Sequence, residues 1–203
     1  MIYERLELNV DVARLRSFFL EHVVELPPVM RGPSFGGWSV LSARGSYRDG
    51  WFVGHKYFKQ VDGQDVFDEA LAKQMGFVPA WEHIRPTEIC TGYLREIISG
   101  LHRMRLNPCR ARISLLAPQG QSDWHRDGPA DKYAVRLHIP IITNEQCTFE
   151  CEEGAAHFPA DGATYVIRVN RMHQIFNRSD EYRYHLMMDI YDTAGVTKFH
   201  GKV

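Results

Sequence analysis

The apolar period of the chain changes near residue 109. Before that point apolar residues recur three and four positions apart; after it they recur every second position. "ARISLLA", "YAVRLHIPII", "CTFEC", "ATYVIRV" and "RYHLMMDIY" are short runs rich in β-branched and aromatic side chains, divided by Gly, Pro, Asn and Asp. Such runs, with no crossover helices between them, favour an antiparallel sandwich or barrel of the jelly-roll kind. Helical patterns first and strands after give an α+β chain with a mainly β core.

The N-terminal half supplies the helical patterns. "LELNV" alternates as a short strand, with Leu6, Leu8 and Val10 on one face. Asp11 suits a helix N-cap, and Val12, Leu15, Phe19 and Val23 then share one helical face before Pro27 and Pro28. Residues 31–62, rich in Gly, Ser and aromatics, read as loops and short strands. "QDVFDEALAKQMG" reads as a short helix closed by Gly76. Pro86 fits the first position of a longer helix carrying Ile89, Tyr93, Ile97, Leu101 and Met104, which Pro108 stops. The expected organisation is one domain over 1–203, with a mainly helical part at 1–108 and the jelly-roll core at 109–193.

Composition narrows the function. Hydrophobic residues at 44% and charged residues at 24% suit a soluble globular protein. A net charge of −1 provides no basic footprint for nucleic acid. No run approaches the roughly 20 apolar residues of a membrane span, and the first residues lack a signal-peptide core. A cytoplasmic protein is expected. Cys90, Cys109, Cys147 and Cys151 form no CxxC pair, so buried free thiols are favoured over a disulfide or a zinc site.

The chemistry concentrates in three places. In "SDWHRDG", His125 and Asp127 lie two apart, as two side chains on one face of a strand edge would. By itself this is either a polar turn or a pair of metal ligands. His173, in "VNRMHQIFN", is a candidate third ligand from a neighbouring turn. Two histidines and one carboxylate suit non-haem Fe(II), with open positions left over. In "YAVRLHIPI", Val135, Leu137 and Ile139 share one face, and Arg136 and His138 share the other. That second face is either exposed to solvent or lines a polar cavity holding an anion. Arg183, ten residues after His173, offers a fork of donors suited to a carboxylate. Two arginines, a histidine and a candidate iron site would cage a chelating dicarboxylate such as 2-oxoglutarate.

"HRD" at 125–127, "RLH" at 136–138 and "HQIFNRSDEYR" at 173–183 together resemble, in order and spacing, the aspartyl/asparaginyl β-hydroxylase superfamily of Fe(II)- and 2-oxoglutarate-dependent oxygenases. The resemblance spans about residues 109–193. It implies a double-stranded β-helix (jelly-roll, cupin-like) with the N-terminal helices packed on it. It also implies that His125, Asp127 and His173 bind iron and that Arg183 pairs with the distal carboxylate of 2-oxoglutarate. Arg136 and His138 would lie near the other carboxylate, and Ser114 would assist, although a strand serine is also often structural. The implied cofactors are Fe(II), 2-oxoglutarate and O2. The implied reaction hydroxylates an unactivated carbon of an amino acid or derivative, with release of succinate and CO2.

Asp127 sets this chain apart from the family members that act on epidermal-growth-factor-like domains, which lack a carboxylate there. In this it is similar to bacterial free-proline cis-hydroxylases, and the carboxylate argues against a halogenase. Three other readings compete: hydroxylation of a peptide or protein, a non-catalytic cupin-like module, and a zinc hydrolase. Trp124 and Arg126 should point away from the ligand face. Arg112, Trp38 and Trp51 are either pocket or core residues. His157 and His185 are expected to be satisfied structural histidines, although His185, two residues from Arg183, could face the same cavity. Because a histidine must be neutral to bind metal, activity should fail at acidic pH.

Overall fold

A computed structural model describes residues 2–49, 58–62, 64–74, 76–127 and 134–191. Its N-terminal half contains β1 (Glu4–Leu6), α1 (Val12–His22), β2 (Val29–Met30), β3 (Phe35–Ser39), β4 (Leu41–Ser42), β5 (Phe58–Val61), β6 (Gln64–Phe67), α2 (Glu69–Gln74), β7 (Arg85–Pro86) and α3 (Gly92–Arg103). The C-terminal half contains β8 (Pro108–Leu116), β9 (Ala134–Ile142), β10 (Cys147–Cys151), β11 (Gly154–Ala156), β12 (Thr164–Arg168), β13 (His173–Asn177) and β14 (Arg183–Tyr191).

The strands form a sandwich. The larger sheet has the order β1-β12-β9-β14-β8-β3-β2 and is antiparallel throughout. The smaller has the order β11-β10-β13, and bridges from Gln121 to Phe176 and from His125 to His173 add the segment around 121–125 along β13. β8, β9, β12 and β14 on one side, with β10, β11, β13 and 121–125 on the other, make an eight-stranded sandwich, the jelly-roll architecture expected from the sequence. Phe149 and Phe158 pack against Tyr165 and Ile167 to join the two sheets.

Alternation along the large sheet separates two environments. Ile113, Leu115, Val135, Leu137, Ile139, Leu186, Met188 and Ile190 point outward into the main core, where Leu15 and Phe19 of α1 and Leu94, Ile97 and Leu101 of α3 cover them. Each such side chain contributes about 1.5–3 kcal/mol when fully buried. The intervening residues point into the sandwich, and there the chain places Arg110, Arg112, Ser114, Arg136, His138, Arg183, His185 and Asp189, all buried. The "RLH" face is thus a buried polar face.

The helical reading of residues 1–108 needs correction. Asp11 does cap α1, accepting from the Arg14 N–H at 3.0 Å. The half also contributes seven strands, however, and three of them complete the large sheet: β1 pairs with β12 at one edge, and β3, followed by β2, extends β8 at the other. The partners of β1 and β3 lie more than 70 residues away, and a local period cannot register such pairings. Pro86 does not open a helix. It pairs with Leu41 in an extended segment, and next to it Thr87 is tied to the Ser39 and Val40 carbonyls at 2.8 and 3.2 Å. α3 begins only at Gly92. "QDVF" is the strand β6, which leaves α2 only Glu69–Gln74.

Gly37 makes the β3–β8 contact possible. It lies opposite Ser114 at φ +151°, and a Cβ there would sit 2.0 Å from the Ile113 carbonyl oxygen. All four cysteines are free thiols, and Cys147 donates to Asn177 Oδ1 at 3.2 Å. Among the described residues no helix is long and apolar enough to cross a membrane.

Candidate metal centre and anion pocket

His125, Asp127 and His173 converge. One ligand atom from each lies within 4.8 Å of the others, with His125 and Asp127 half-buried and His173 buried. The backbone builds this cluster: His125 and His173 exchange N–H···O bonds of 2.9 and 2.8 Å, and Asp127 N–H donates to the Val169 carbonyl at 2.7 Å. The tautomers are fixed as well. His125 Nδ1 lies 2.7 Å from the Asp123 carbonyl and His173 Nδ1 lies 2.8 Å from the Arg171 carbonyl. A carbonyl can only accept, so each Nδ1 carries the proton and each Nε2 keeps a free lone pair. Those Nε2 atoms stand 3.9 Å from the two carboxylate oxygens of Asp127. Two neutral imidazoles and one carboxylate, all aimed at one point, could hold a divalent cation.

The electrostatics favour a neutral His173 and an ionised Asp127. Burial lowers the pKa of His173 to about 4, against the weaker pull of Asp127. Burial also opposes the charge on Asp127, but Arg136, Arg110 and the two histidines outweigh it and hold the carboxyl well below the usual range. Phe149 stacks on the His173 ring at 5.2 Å and fixes its plane.

Arg136 sits where the sequence places it, on the inward face, but its fork is already engaged. Nη1 donates to Asp127 Oδ2, and Nε donates to Asp189 Oδ1 at 2.7 Å. Asp189 is fully buried and also receives Arg110, with Nε at 2.7 Å and Nη2 at 2.6 Å. Burial opposes ionisation of Asp189, yet Arg110, Arg136 and Arg112 together bring its pKa down to about 2. Arg110 is bent into place: its φ is +47°, its N–H donates to the His83 carbonyl, and the β8–β14 register slips by one residue beside it. This is a β-bulge that re-aims a side chain. Sequence reasoning missed Asp189 and Arg110. The available signal was that Asp189 falls on the same strand face as Arg183, four and six residues from His185 and Arg183.

The other end of β14 is different. Arg183 is 3% exposed, and its Nε and Nη2 find no hydrogen-bond partner among the described residues. Burial lowers its pKa to about 10. Ser114 Oγ and His185 Nε2 are likewise buried and unpartnered, and the two residues are direct register partners. His138 Nδ1 lies 3.4 Å from His185 Nδ1. Burial and the nearby Arg183 keep both imidazoles neutral, far below their ordinary pKa. The expectation that His185 is a satisfied structural histidine therefore fails: alternation from Arg183 turns it into the same space, where one ring nitrogen has nothing to bond. His157 is satisfied, with Nδ1 3.0 Å from the Cys147 carbonyl. Asn177 holds this end together by donating to the carbonyls of Leu116, Ala117 and Glu181.

The remaining candidates divide. Trp124 and Arg126 are exposed, away from the ligand face as expected. Trp38 is core, with its indole N–H on the Leu26 carbonyl at 2.8 Å. Arg112 is buried beside the carboxylate network and donates to the Arg110 carbonyl. Trp51 lies outside the described residues.

No curated protein sequence matches the chain. Solved structures that share features with it include a prolyl-4-hydroxylase from Pseudomonas putida, 13% identical over 93% of this chain and 91% of that one, with TM-score 0.45. An oxidoreductase of the 2OG-Fe(II) oxygenase family from Burkholderia pseudomallei is 11% identical over 90% and 77%, with TM-score 0.46. A cupin domain from Bordetella pertussis Tohama I is 20% identical over 39% and 80%, with TM-score 0.32. The family model for aspartyl/asparaginyl beta-hydroxylase matches residues 78–193, more than half of the chain and the whole of the site. The chain belongs to the aspartyl/asparaginyl β-hydroxylase family.

Proposed function

We propose that this enzyme uses Fe(II), 2-oxoglutarate and O2 to hydroxylate an unactivated carbon of an amino acid or an amino-acid-derived small molecule. The observation that carries the reading is the pairing of two sites inside one sandwich. A two-histidine, one-carboxylate cluster stands at one place. A buried cation with unpartnered donors, Arg183 with Ser114 and His185, stands at another. Buried polar groups are almost always satisfied, so this second group calls for a ligand. A zinc hydrolase has no use for it. A dicarboxylate that also chelates a metal has use for both sites.

His125, Asp127 and His173 would hold the iron. Arg183 would take the distal carboxylate of 2-oxoglutarate in a charge-assisted pair, with Ser114 and His185 donating beside it. His138 would lie along the cosubstrate. With these groups bound, the iron and cosubstrate supply the oxidising power, and succinate and CO2 leave. The protein's own task is to orient the target carbon and to keep water out of an apolar wall built from Phe149, Phe158 and Ile167. No side chain needs to remove a proton from the substrate. The intact Asp127 carboxylate supports hydroxylation over halogenation.

The test is anaerobic purification, reconstitution with Fe(II) and ascorbate, and assay of succinate release against a panel of free and N- or C-conjugated amino acids. Mass spectrometry of a metabolite pool, read for a gain of one oxygen, identifies the substrate. No succinate and no oxygenated product across the panel would overturn the proposal.

A further inference from the structure

The unexplained group in the sandwich is the ion network beyond the ligands. Arg110, Asp189, Arg136 and Asp127 form one continuous chain of charge-assisted bonds across β8, β14 and β9 into the ligand loop. Asp189 touches no candidate ligand, and its carboxylate is spent on two arginines. Burying such a set without function is costly, since a buried ion network is rarely the most stable way to fill a core. The backbone at Arg110 is also held in the left-handed region, which non-glycine residues seldom adopt, and its N–H is tied to His83.

Resting on the iron-site reading above, we infer that Asp189, acting through the Arg136 guanidinium, is a positioning residue that fixes the orientation of the Asp127 carboxylate, and that Arg136 serves the metal ligand and not the cosubstrate. Arg136 spans two carboxylates with a planar fork: Nε on Asp189 and Nη1 on Asp127. Asp189 fixes the plane of that fork. Arg110 in turn fixes Asp189. One oxygen of Asp127 is thereby held by a donor on a rigid strand, although the residue itself lies in a loop that is half exposed. Outer partners of this kind commonly set metal affinity and ligand geometry.

Co(II) serves as the probe, on the full chain without 2-oxoglutarate. Its affinity is measured by competition with a chelator and its coordination by the visible d–d absorption. Asp189→Asn removes the charge that holds the fork, and Arg136→Lys keeps a charge but cannot bridge two carboxylates. Both are expected to weaken Co(II) binding by about 10- to 100-fold and to change the absorption envelope. The affinity of the Co(II)-saturated protein for 2-oxoglutarate should change little. Arg183→Ala should do the reverse, losing 2-oxoglutarate and keeping Co(II). Circular dichroism checks folding; if Asp189→Asn does not fold, Arg136→Lys carries the test. Unchanged Co(II) affinity and spectrum in the folded variants would overturn the inference alone. So would loss of 2-oxoglutarate affinity in Arg136→Lys with Co(II) binding intact. A wild-type chain that binds no Co(II) would sink the iron-site reading, and the inference with it.

Discussion

Ser114 and His185 stand opposite each other on β8 and β14, and the hydroxyl of one and the Nε2 of the other are buried with no hydrogen-bond partner among the described residues. In the ligand-free protein each is a cost, because a buried donor without a partner loses its water and gains nothing. Ser114→Ala should therefore stabilise the ligand-free protein by about 1 kcal/mol, read as a higher urea midpoint. The same change should raise the KM for 2-oxoglutarate. A destabilised variant with an unchanged KM would show that the serine is merely structural.

Arg183 should matter far more than Ser114. Its guanidinium is the buried cation of the pocket, and a hydrogen bond to a charged group contributes about 1.5–3 kcal/mol. Arg183→Ala is expected to raise the KM for 2-oxoglutarate by on the order of 100-fold, with Arg183→Lys recovering part of it as a point charge without the fork. Steady-state succinate release with 2-oxoglutarate varied provides the measurement. Equal KM values for all three proteins would refute this role.

Asp127→Gly should eliminate coupled turnover. The change removes the only anionic member of the cluster and leaves Arg136 facing an empty position. Hydroxylated product should fall by on the order of 100-fold or more, given that even outer partners are worth 10- to 100-fold. Product retained at the wild-type level would move the metal elsewhere.

Acid should destabilise the metal-free protein in a specific window. His173 has its pKa lowered to about 4, and those of His138 and His185 lie well below the ordinary value, all chiefly by burial. The unfolded chain binds these protons near pH 6.5 and the folded chain does not. The stability they allow is thus present above pH 6.5 and is lost as pH falls towards 4, by about 1.4 kcal/mol per pH unit for each histidine. Asp189, at about 2, adds a separate loss below its unfolded value of 3.8. Thermal midpoints recorded from pH 7.5 to 4.5 without metal should fall steadily, and His185→Asn should flatten the slope. A flat profile for the wild-type chain would contradict neutral burial.

The readable part of this fold was the part written in local patterns. The two-residue period after 109 marked β8, β9, β10, β12 and β14, and it put Arg136 and His138 on one face. Even spacing brought His125 and Asp127 together, and the structure joins His173 to them through a bridge between backbones. The unreadable parts depend on distant partners. Nothing near Pro86 announces that Leu41 will pair with it. Arg136 reads as a residue seeking an anion because its anion, Asp189, lies 53 positions on. His185 reads as structural because its lack of a partner is a property of packing.

The two sheet edges have a practical meaning. The family match begins at residue 78, yet β1 seals the outer side of β12 and β3 seals the outer side of β8 from residues 4–6 and 35–39. A fragment cut at the family boundary would keep every candidate ligand and would still expose two rows of unmet N–H and C=O groups. Such rows recruit other strands, most readily those of a second fragment. The N-terminal strands thus keep the oxygenase core from associating with itself, and a minimal catalytic piece of this chain must start before β1.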